Sequence, residues 1–179
     1  IDLIISQTKR CGDILKQISK KQIKEDLFLK KVNLDNLLEE IIEYFNETSS
    51  KDISLITNND TNKIHFKRTP ELVYGLRNFI GNAVKFSKSA VEIIISSDPQ
   101  YITVLINDDG PGFPDDVKEL LGEPYIRSKS SQVKSNAGTG LGTFLGKTLL
   151  ERQLANLSFS KDKNLGGASV IISWKTSDL

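Results

Sequence analysis

Three short segments of the sequence carry the residues whose types and spacing could do chemistry. In the first, NFIGNAVKF at residues 78–86, Asn78, Asn82 and Lys85 stand at positions i, i+4 and i+7 and therefore share one face of a helix. Two amide oxygens and a cation on one stripe could hold a hydrated magnesium ion and the phosphates that it neutralises, because this ion takes oxygen ligands. Read alone, the stripe is more readily explained as a polar surface.

The second segment, DDGPGF at residues 108–113, directly follows a predicted strand. A carboxylate at the end of a strand can accept a hydrogen bond from an exocyclic amine, and two following glycines let the backbone pass close to a planar ring. Asp108 is the candidate acceptor, and Gly110 and Gly112 are the candidates that shape the loop. A simple tight turn explains so short a motif as well.

The third segment, GTGLG at residues 138–142, opens a predicted helix. Glycines allow backbone N–H groups to approach phosphate oxygens, and the N-terminal end of a helix adds a favourable dipole. A glycine-rich turn alone is a weak signal. The order and spacing of all three segments are far more specific than any one of them.

In this order, the segments resemble the sequence boxes of the GHKL ATPase superfamily, whose nucleotide-binding core is the Bergerat fold, and within it the histidine kinases. Residues 78–86 match the N box, residues 108–112 the first glycine box and residues 138–142 the second. The resemblance extends over about residues 34–174.

Two further segments resemble the same family less closely. GEPYIR at residues 122–127 looks like a degenerate F box, with Gly122 where an aromatic residue is usual, which puts the anchoring of the nucleotide lid in doubt. The glycines at 166 and 167 resemble the last glycine element. The lid cations Arg127, Lys129 and Lys134 could reach the γ-phosphate of ATP, or they could be ordinary solvated charges.

The resemblance implies a role for each matched residue. Asn82 would coordinate Mg²⁺, Asn78 would support the metal and phosphates, and Lys85 would face the phosphates. Asp108 would accept from the adenine amino group of ATP. The other expected nucleotide contacts are Phe86, Gly110, Gly112, Gly138, Thr139, Gly140, Leu141 and Gly142.

Asn78 also bears on the reaction. GHKL proteins that hydrolyse ATP resemble one another in placing a Glu at this position, where it activates water; an amide cannot accept that proton, which lowers general-base hydrolysis by a factor on the order of 100 to 10000. The resemblance therefore implies a protein-histidine kinase that passes the γ-phosphoryl group to a histidine and then to a response regulator. The single histidine, His65, lies in a predicted strand and is interpreted as structural or surface. The acceptor is expected outside this chain.

Ahead of these boxes, the sequence predicts an N-terminal helix. Its seam positions alternate at spacings of four and three, as in a heptad repeat: Ile4, Thr8, Cys11, Leu15 and Ile18. Such a helix can pack on its own domain or pair with another chain. The resemblance favours pairing, so we expect residues 1–31 to end the dimerisation domain of a homodimer and residues 32–179 to form the catalytic domain.

Cys11 is the only cysteine, so an intrachain disulfide cannot form. RCGDIL at residues 10–15, together with GEPY at residues 122–125, resembles the RegB/PrrB group of redox-responsive sensor kinases, which are membrane-anchored dimers that phosphorylate a DNA-binding response regulator. A thiol buried on a helix seam is usually an inert small hydrophobe. The adjacent Arg10 would favour the thiolate and hence oxidation. Both interpretations of Cys11 stay open.

The elements that must position these residues predict an α+β fold, a two-layer α/β sandwich over a mostly antiparallel sheet. Helices are expected over about 34–45, 70–86, 117–121 and 140–153, and strands over 53–57, 63–67, 91–97, 101–107, 156–160 and 168–174. Thr69 is the expected cap of the helix that opens with Pro70. Residues 30–33 are interpreted as a polar connection, Asn33 or Asp35 as the cap of the next helix, and residues 58–60 as a turn joining two strands.

Composition bounds the remaining possibilities. The 24 Lys and Arg against 23 Asp and Glu leave a net charge of +1 in 179 residues, which gives no general argument for nucleic acid or an anionic membrane. No apolar stretch approaches the roughly 20 residues that span a bilayer. Because the sequence begins with Ile, we expect a cytoplasmic part of a longer bacterial protein that is anchored in the inner membrane elsewhere.

Three rival functions share parts of this pattern. A GHKL ATPase switch of the chaperone or DNA-repair type is disfavoured by Asn78 and the short lid. A serine-directed anti-sigma kinase of the same fold leaves the heptad helix unexplained. A non-catalytic interaction module conflicts with the intact Asn82, Asp108 and glycine elements, and loss of ATP binding would revive it.

Overall fold

The structure is a computed structural model that describes residues 31–58, 65–114, 121–123 and 141–179. Several predictions fall outside these residues: the N-terminal helix with Cys11, nearly all of the helical piece at 117–121, and Arg127, Gly138, Thr139 and Gly140.

The described residues form seven strands and three α-helices, followed by a 3-10 turn at Thr176–Asp178. In chain order these are β1 (Lys31–Asn33), α1 (Leu34–Thr48), β2 (Asp52–Asn58), β3 (His65–Lys67), α2 (Pro70–Phe86), β4 (Ala90–Ser97), β5 (Tyr101–Asp108), α3 (Gly142–Glu151), β6 (Asn156–Lys161) and β7 (Ala168–Lys175).

Five of the strands form one sheet in the order β2-β4-β5-β7-β6, in which only β2 and β4 are parallel. Every second residue of the central strands is buried, for example Val91, Ile93 and Ile95 of β4. These side chains share one core with the buried faces of the helices. The predicted α+β two-layer sandwich with a mostly antiparallel sheet is therefore confirmed.

Helix α2 begins where the sequence predicts. Thr69 has an extended backbone, its hydroxyl accepts from Leu72 N at 3.1 Å, and Pro70 follows as the first helical residue. The helix is antiparallel to α3, and glycines allow close contact between the two. A Cβ built on Gly75 would lie only 2.5 Å from Leu150 Cγ.

Two local predictions were wrong. Residues 31–33 are not a connection but strand β1, which pairs with β3 so that Val32 lies opposite Phe66. The predicted turn at residues 58–60 is wrong at Asn58, which ends β2, and its other two residues lie outside the described ones. The two flanking strands do not pair with each other, because β3 pairs with β1 while β2 runs parallel to β4. Parallel neighbours need a crossover, and α2 lies in the chain between β2 and β4.

The predicted cap of α1 was also wrong in its chemistry. Asn33 occupies the N-cap position, but its side chain makes no capping hydrogen bond. Its buried Oδ1 has no partner within the described residues. Asp35 lies in the first turn and accepts from the Thr57 hydroxyl at 3.2 Å, so it joins α1 to β2. Within the described ranges, no helix is long and apolar enough to cross a membrane.

Candidate functional site

The amide stripe of α2 faces the first turn of α3. A Cβ built on Gly142 would lie 3.7 Å from Asn78 Oδ1 and 3.7 Å from both amide atoms of Asn82. One turn later, a Cβ on Gly146 would lie 3.0 Å from the Phe79 ring and 3.1 Å from Asn78 Cβ. Small residues on α3 therefore bring its N-terminal end directly against Asn78 and Asn82.

Both amide groups are oriented by the protein through their nitrogens. Asn78 Nδ2 donates to Tyr74 O at 2.8 Å, and Asn82 Nδ2 donates to the Thr143 hydroxyl at 3.5 Å. None of the described residues donates a hydrogen bond to either Oδ1. Two acceptor oxygens are thus left for a ligand, and oxygen is the donor atom that Mg²⁺ prefers.

The other end of α2 approaches the loop after β5. Lys85 is exposed, and its Nζ lies 5.1 Å from the centroid of the Phe86 ring. A Cβ on Gly110 would overlap Phe86 O and would lie 2.8 Å from Asp108 Oδ1. Only glycine allows the β5 loop to lie this close to the last residue of the helix.

Asp108 ends β5 and is buried, with 4% of its surface exposed. Its Oδ1 accepts from Gly110 N at 2.8 Å and from Ala168 N at 3.1 Å. Burial raises the pKa of Asp108, and these two backbone hydrogen bonds only partly oppose it. Its Oδ2 receives no hydrogen bond from the described residues, so this oxygen can accept one from a ligand.

Gly167, which directly precedes β7, closes the other side of Asp108. A Cβ on Gly167 would overlap both the backbone oxygen and Oδ1 of Asp108, and Gly167 N donates to Asp108 O at 3.1 Å. Gly112 has φ of +78°, a conformation that glycine adopts readily. The backbone around the carboxylate therefore depends on three glycines in two loops.

Asp109 has a different surrounding from its neighbour. Its carboxylate accepts from Lys88 N at 2.7 Å, from Ser89 N at 3.0 Å and from the Ser89 hydroxyl at 2.7 Å. Burial acts to raise the pKa of Asp109, but the hydrogen bonds from Ser89, Ala90 and Lys88 outweigh it and hold the pKa below its usual range. This carboxylate connects the β5 loop to the residues that follow α2.

The structure thus brings the predicted site residues into two neighbouring groups, joined by α2. Asn78, Asn82, Leu141 and Gly142 lie at the junction of α2 and α3, whereas Phe86, Asp108, Gly110 and Gly112 surround the end of β5. Lys85 is exposed near the second group. His65 lies in β3 opposite Asn33 and is exposed, in keeping with a structural or surface residue.

Sequence reasoning missed three contributors to these groups. Gly167 was identified only as part of a glycine element, and its contact with Asp108 required the register of β5 and β7. Thr143 orients Asn82 and follows directly on the second glycine box, which was the only signal for it. Asp109 was part of a motif but was given no role.

A groove of about 270 Å³ lies elsewhere, between α1 and α2. Both of the cations that line it have partners within the groove. Arg68 makes a two-pronged ion pair with Glu40 at 2.7 and 2.8 Å, and the Arg77 guanidinium lies 3.7 Å above the Tyr44 ring. By contrast, the amide and carboxylate oxygens of Asn78, Asn82 and Asp108 are left open, so the latter region is the better candidate for chemistry.

Comparisons with known proteins agree with this assignment. A sequence profile of the family described as histidine kinase-, DNA gyrase B- and HSP90-like ATPase matches residues 67–178. The sensor histidine kinase RegB of Cereibacter sphaeroides is 34% identical over 167 residues, which are 89% of this chain but 36% of that protein. The predicted resemblance to histidine kinase catalytic domains, and to RegB among them, is confirmed.

Solved structures support the fold. The catalytic domain of histidine kinase ThkA superposes with a TM-score of 0.67 at 22% identity, covering 82% of this chain and 97% of that one. Full-length ShkA in complex with AMPPNP gives a TM-score of 0.65 at 23% identity, covering 82% of this chain and 30% of that one. The profile match, the fold and the arrangement of the boxes agree: the chain belongs to the histidine kinase-, DNA gyrase B- and HSP90-like ATPase family.

Proposed function

We propose that this chain is the ATP-binding catalytic part of a sensor histidine kinase, which transfers the γ-phosphoryl group of ATP to a histidine outside the chain and from there to a response regulator. The observation that carries the proposal is the pair of open amide oxygens on α2 that face the N-terminal end of α3. The relative ShkA was solved with AMPPNP, an observation in line with ATP as the ligand.

At the adenine end, Asp108 is the proposed recognition group. Its Oδ1 is occupied by two backbone N–H donors, which leaves Oδ2 to accept from the exocyclic amino group. Phe86, Gly110 and Gly112 would border the base. A buried acceptor of this kind discriminates strongly against a base that lacks the donor, because the carboxylate would otherwise stay unpaired.

At the phosphate end, the chain offers acceptors for a metal and donors for an anion. Asn82 Oδ1 is the proposed Mg²⁺ ligand, with Asn78 Oδ1 beside it. The N-cap position of α3 is Leu141, and within the described residues no side chain caps the first N–H groups of this helix, which could therefore donate to phosphate oxygens. Bound Mg²⁺ would neutralise charge on the phosphates of ATP.

The choice of kinase over hydrolase rests on Asn78. A side chain that activates water must accept a proton, and an amide cannot do so. The nitrogen of Asn78 is moreover committed to Tyr74 O. The phosphoryl group is therefore kept for another acceptor, and the relatives named sensor histidine kinases favour a histidine.

The remaining parts of the proposal rest on the resemblance to RegB. Residues 1–31 would complete the dimerisation domain of a homodimer and residues 32–179 would form the catalytic domain. Membrane attachment would come from segments outside this chain, which spans 36% of RegB. Cys11 would respond to oxidant by sulfenic acid formation or by an intermolecular disulfide.

Calorimetric titration with ATP, with Mg²⁺ or with a chelator, tests the nucleotide proposal. We expect wild type to bind ATP more tightly with Mg²⁺, and Asn82→Ala to lose this metal dependence. Asn46→Ala is the matched control, since Asn46 is an exposed amide on α1. Absence of ATP binding by the folded wild-type chain would support the non-catalytic module instead.

A labelling experiment tests the kinase step. With γ-labelled ATP and Mg²⁺, we expect slow hydrolysis and no stable label on this chain, but label on an added dimerisation domain that carries an acceptor histidine. Stable phosphohistidine on the chain itself, or rapid hydrolysis, would contradict the proposal.

Thiol labelling and non-reducing mass analysis test the redox part. Wild type should change across redox conditions in both measurements, whereas Cys11→Ser should not.

A further inference from the structure

The turn between α2 and β4, residues 87–89, is held more completely than an exposed turn requires. Its three N–H groups all have protein acceptors. Ser87 N continues the helix to Ala83 O at 2.8 Å. Lys88 N and Ser89 N both donate to the carboxylate of Asp109, at 2.7 and 3.0 Å.

The three carbonyl groups of the same turn are also bonded. Lys51 Nζ donates to Ser87 O at 2.9 Å and to Lys88 O. Asp52 N donates to Ser89 O at 2.8 Å. Lys88 and Ser89 are exposed, so water could satisfy their four backbone groups at little cost. The protein instead satisfies these four as well as the two of the buried Ser87.

This turn lies where the two groups of the nucleotide site meet. Asp109 follows Asp108 directly, and its own N–H donates to Ala90 O at 3.3 Å. On the other side, the turn continues from Phe86, whose carbonyl leaves no room for a Cβ on Gly110. Asn82 lies about one helical turn before Phe86 on the same helix. A shift of the turn would therefore move the amide stripe relative to Asp108.

We propose that Asp109 is a positioning residue that, by holding the 87–89 turn, sets the spacing between the Asp108 end of the site and the amide stripe of α2. It contacts neither the base nor the phosphates. Its effect is on the fit of a ligand that spans both ends, and the inference therefore rests on the proposed binding of ATP. Ser89 and Lys51 help to hold the same turn, Ser89 through its hydroxyl and Lys51 through its ammonium group.

The consequence is specific to ligand length. Adenosine uses only the Asp108 end, whereas ATP with Mg²⁺ must engage both ends at once. Loss of a preorganised spacing weakens the binding of the larger ligand while the smaller one is spared. We expect Asp109→Ala to lower the affinity for ATP with Mg²⁺ by about tenfold and the affinity for adenosine by less than about twofold.

The test measures both affinities on the full chain by competition with a fluorescent adenine nucleotide. Asp109→Asn keeps an acceptor for Lys88 N and Ser89 N and should restore most of the ATP affinity. Asp98→Ala is the matched control, because Asp98 also accepts two backbone N–H groups, from Gln100 and Tyr101 at 2.7 Å, but in the β4–β5 turn. It should leave both affinities unchanged.

Several outcomes would overturn the inference. Equal loss of ATP and adenosine affinity in folded Asp109→Ala would place the effect in the adenine pocket. No loss of either affinity would show that Asp109 does not position the site. If that variant unfolds, Ser89→Ala removes one hydrogen bond and should shift the same ratio less; an unchanged ratio refutes the inference. Failure of wild type to bind ATP refutes the proposed function instead.

Discussion

The two ends of the central sheet are built differently, and the β4–β5 hairpin shows this most clearly. At one end, Asp98 caps an exposed turn by accepting from two neighbouring N–H groups. At the other end, Asp108 is buried and accepts from a different strand, while Asp109 holds a turn 20 residues away in sequence. The same residue type thus serves local turn formation at one end and assembly of several elements at the other.

Glycine usage follows the same division. At the Asp108 end, a side chain on Gly110 or Gly167 would overlap backbone atoms of neighbouring elements. At the Asp98 end, the segment between α3 and β6 contains Leu154 at φ of +62°, where a glycine would be unstrained. Close approach thus requires glycine at the end that carries the candidate site, whereas at the other end a non-glycine residue occupies a left-handed position. The following predictions test that contrast.

The largest effect is expected for Asp108→Asn. The new side chain can keep its oxygen toward Gly110 N and Ala168 N, which places an NH₂ group where Oδ2 was. Two donors then face each other at the adenine amino group, and ATP affinity should fall by about 100-fold or more with the fold intact. Calorimetric titration measures this, and Asp98→Asn should bind as wild type does. Unchanged affinity in Asp108→Asn would remove adenine recognition from this residue.

Gly167→Ala should lower the free energy of unfolding by about 2 kcal/mol, because its Cβ must displace the Asp108 backbone. Gly166→Ala is the matched control. Gly166 has φ of +83° but nothing within 4 Å of a built Cβ, so only conformational strain of about 1 kcal/mol is expected. Chemical denaturation of both variants gives the two values. A larger cost at residue 166 would contradict the steric explanation.

Adjacent carboxylates should respond to pH with opposite sign. The pKa of Asp108 is raised in the fold, so its stability contribution is present below its ordinary value of 3.8 and is lost as pH rises through the folded value. The pKa of Asp109 is lowered, so its contribution is present above 3.8 and is lost as pH falls toward the folded value.

The measurement compares the free energy of unfolding of wild type with those of Asp108→Asn and Asp109→Asn over an acidic to neutral series. Relative to its own Asn variant, wild type should lose stability with rising pH in the Asp108 comparison and gain it in the Asp109 comparison. Slopes of the same sign would show that the two environments do not differ as described.

The smallest effect is expected at Leu154, which is exposed and left-handed. Leu154→Gly should raise the free energy of unfolding by about 0.5–1 kcal/mol and leave ATP affinity unchanged. Leu154→Ala keeps the strain and should give no such gain. Reduced ATP affinity in Leu154→Gly would mean that this end of the molecule also contributes to the site.

Sequence reasoning predicted the parts of the fold that local signals determine. Thr69 followed by Pro70 gives the start of α2, and alternating apolar residues give β4 and β5. It failed for β1, which is too short for a periodic pattern, and for the partner of β2, because parallel pairing leaves no local signal. Asn33 occupies the capping position but does not cap.

The candidate site divides in the same way. The spacing of Asn78 and Asn82 predicts their shared face, because helix geometry alone determines it. The sequence could not show that both amide nitrogens are occupied or that Gly167 encloses Asp108, since these depend on contacts between elements distant in the chain. Asp109 was overlooked for the same reason.

Hydrogen exchange of the full chain, with and without ATP and Mg²⁺, tests the central claim most directly. Nucleotide should slow exchange in peptides covering residues 78–90, 108–114 and 141–146, and leave those covering 97–102 and 151–156 unchanged. Protection confined to the three site peptides would agree with ATP bound between α2, α3 and the β5 loop. Equal protection of the site peptides and of the two peptides at the Asp98 end of the sheet, or no protection of the site peptides at saturating ATP, would contradict that placement.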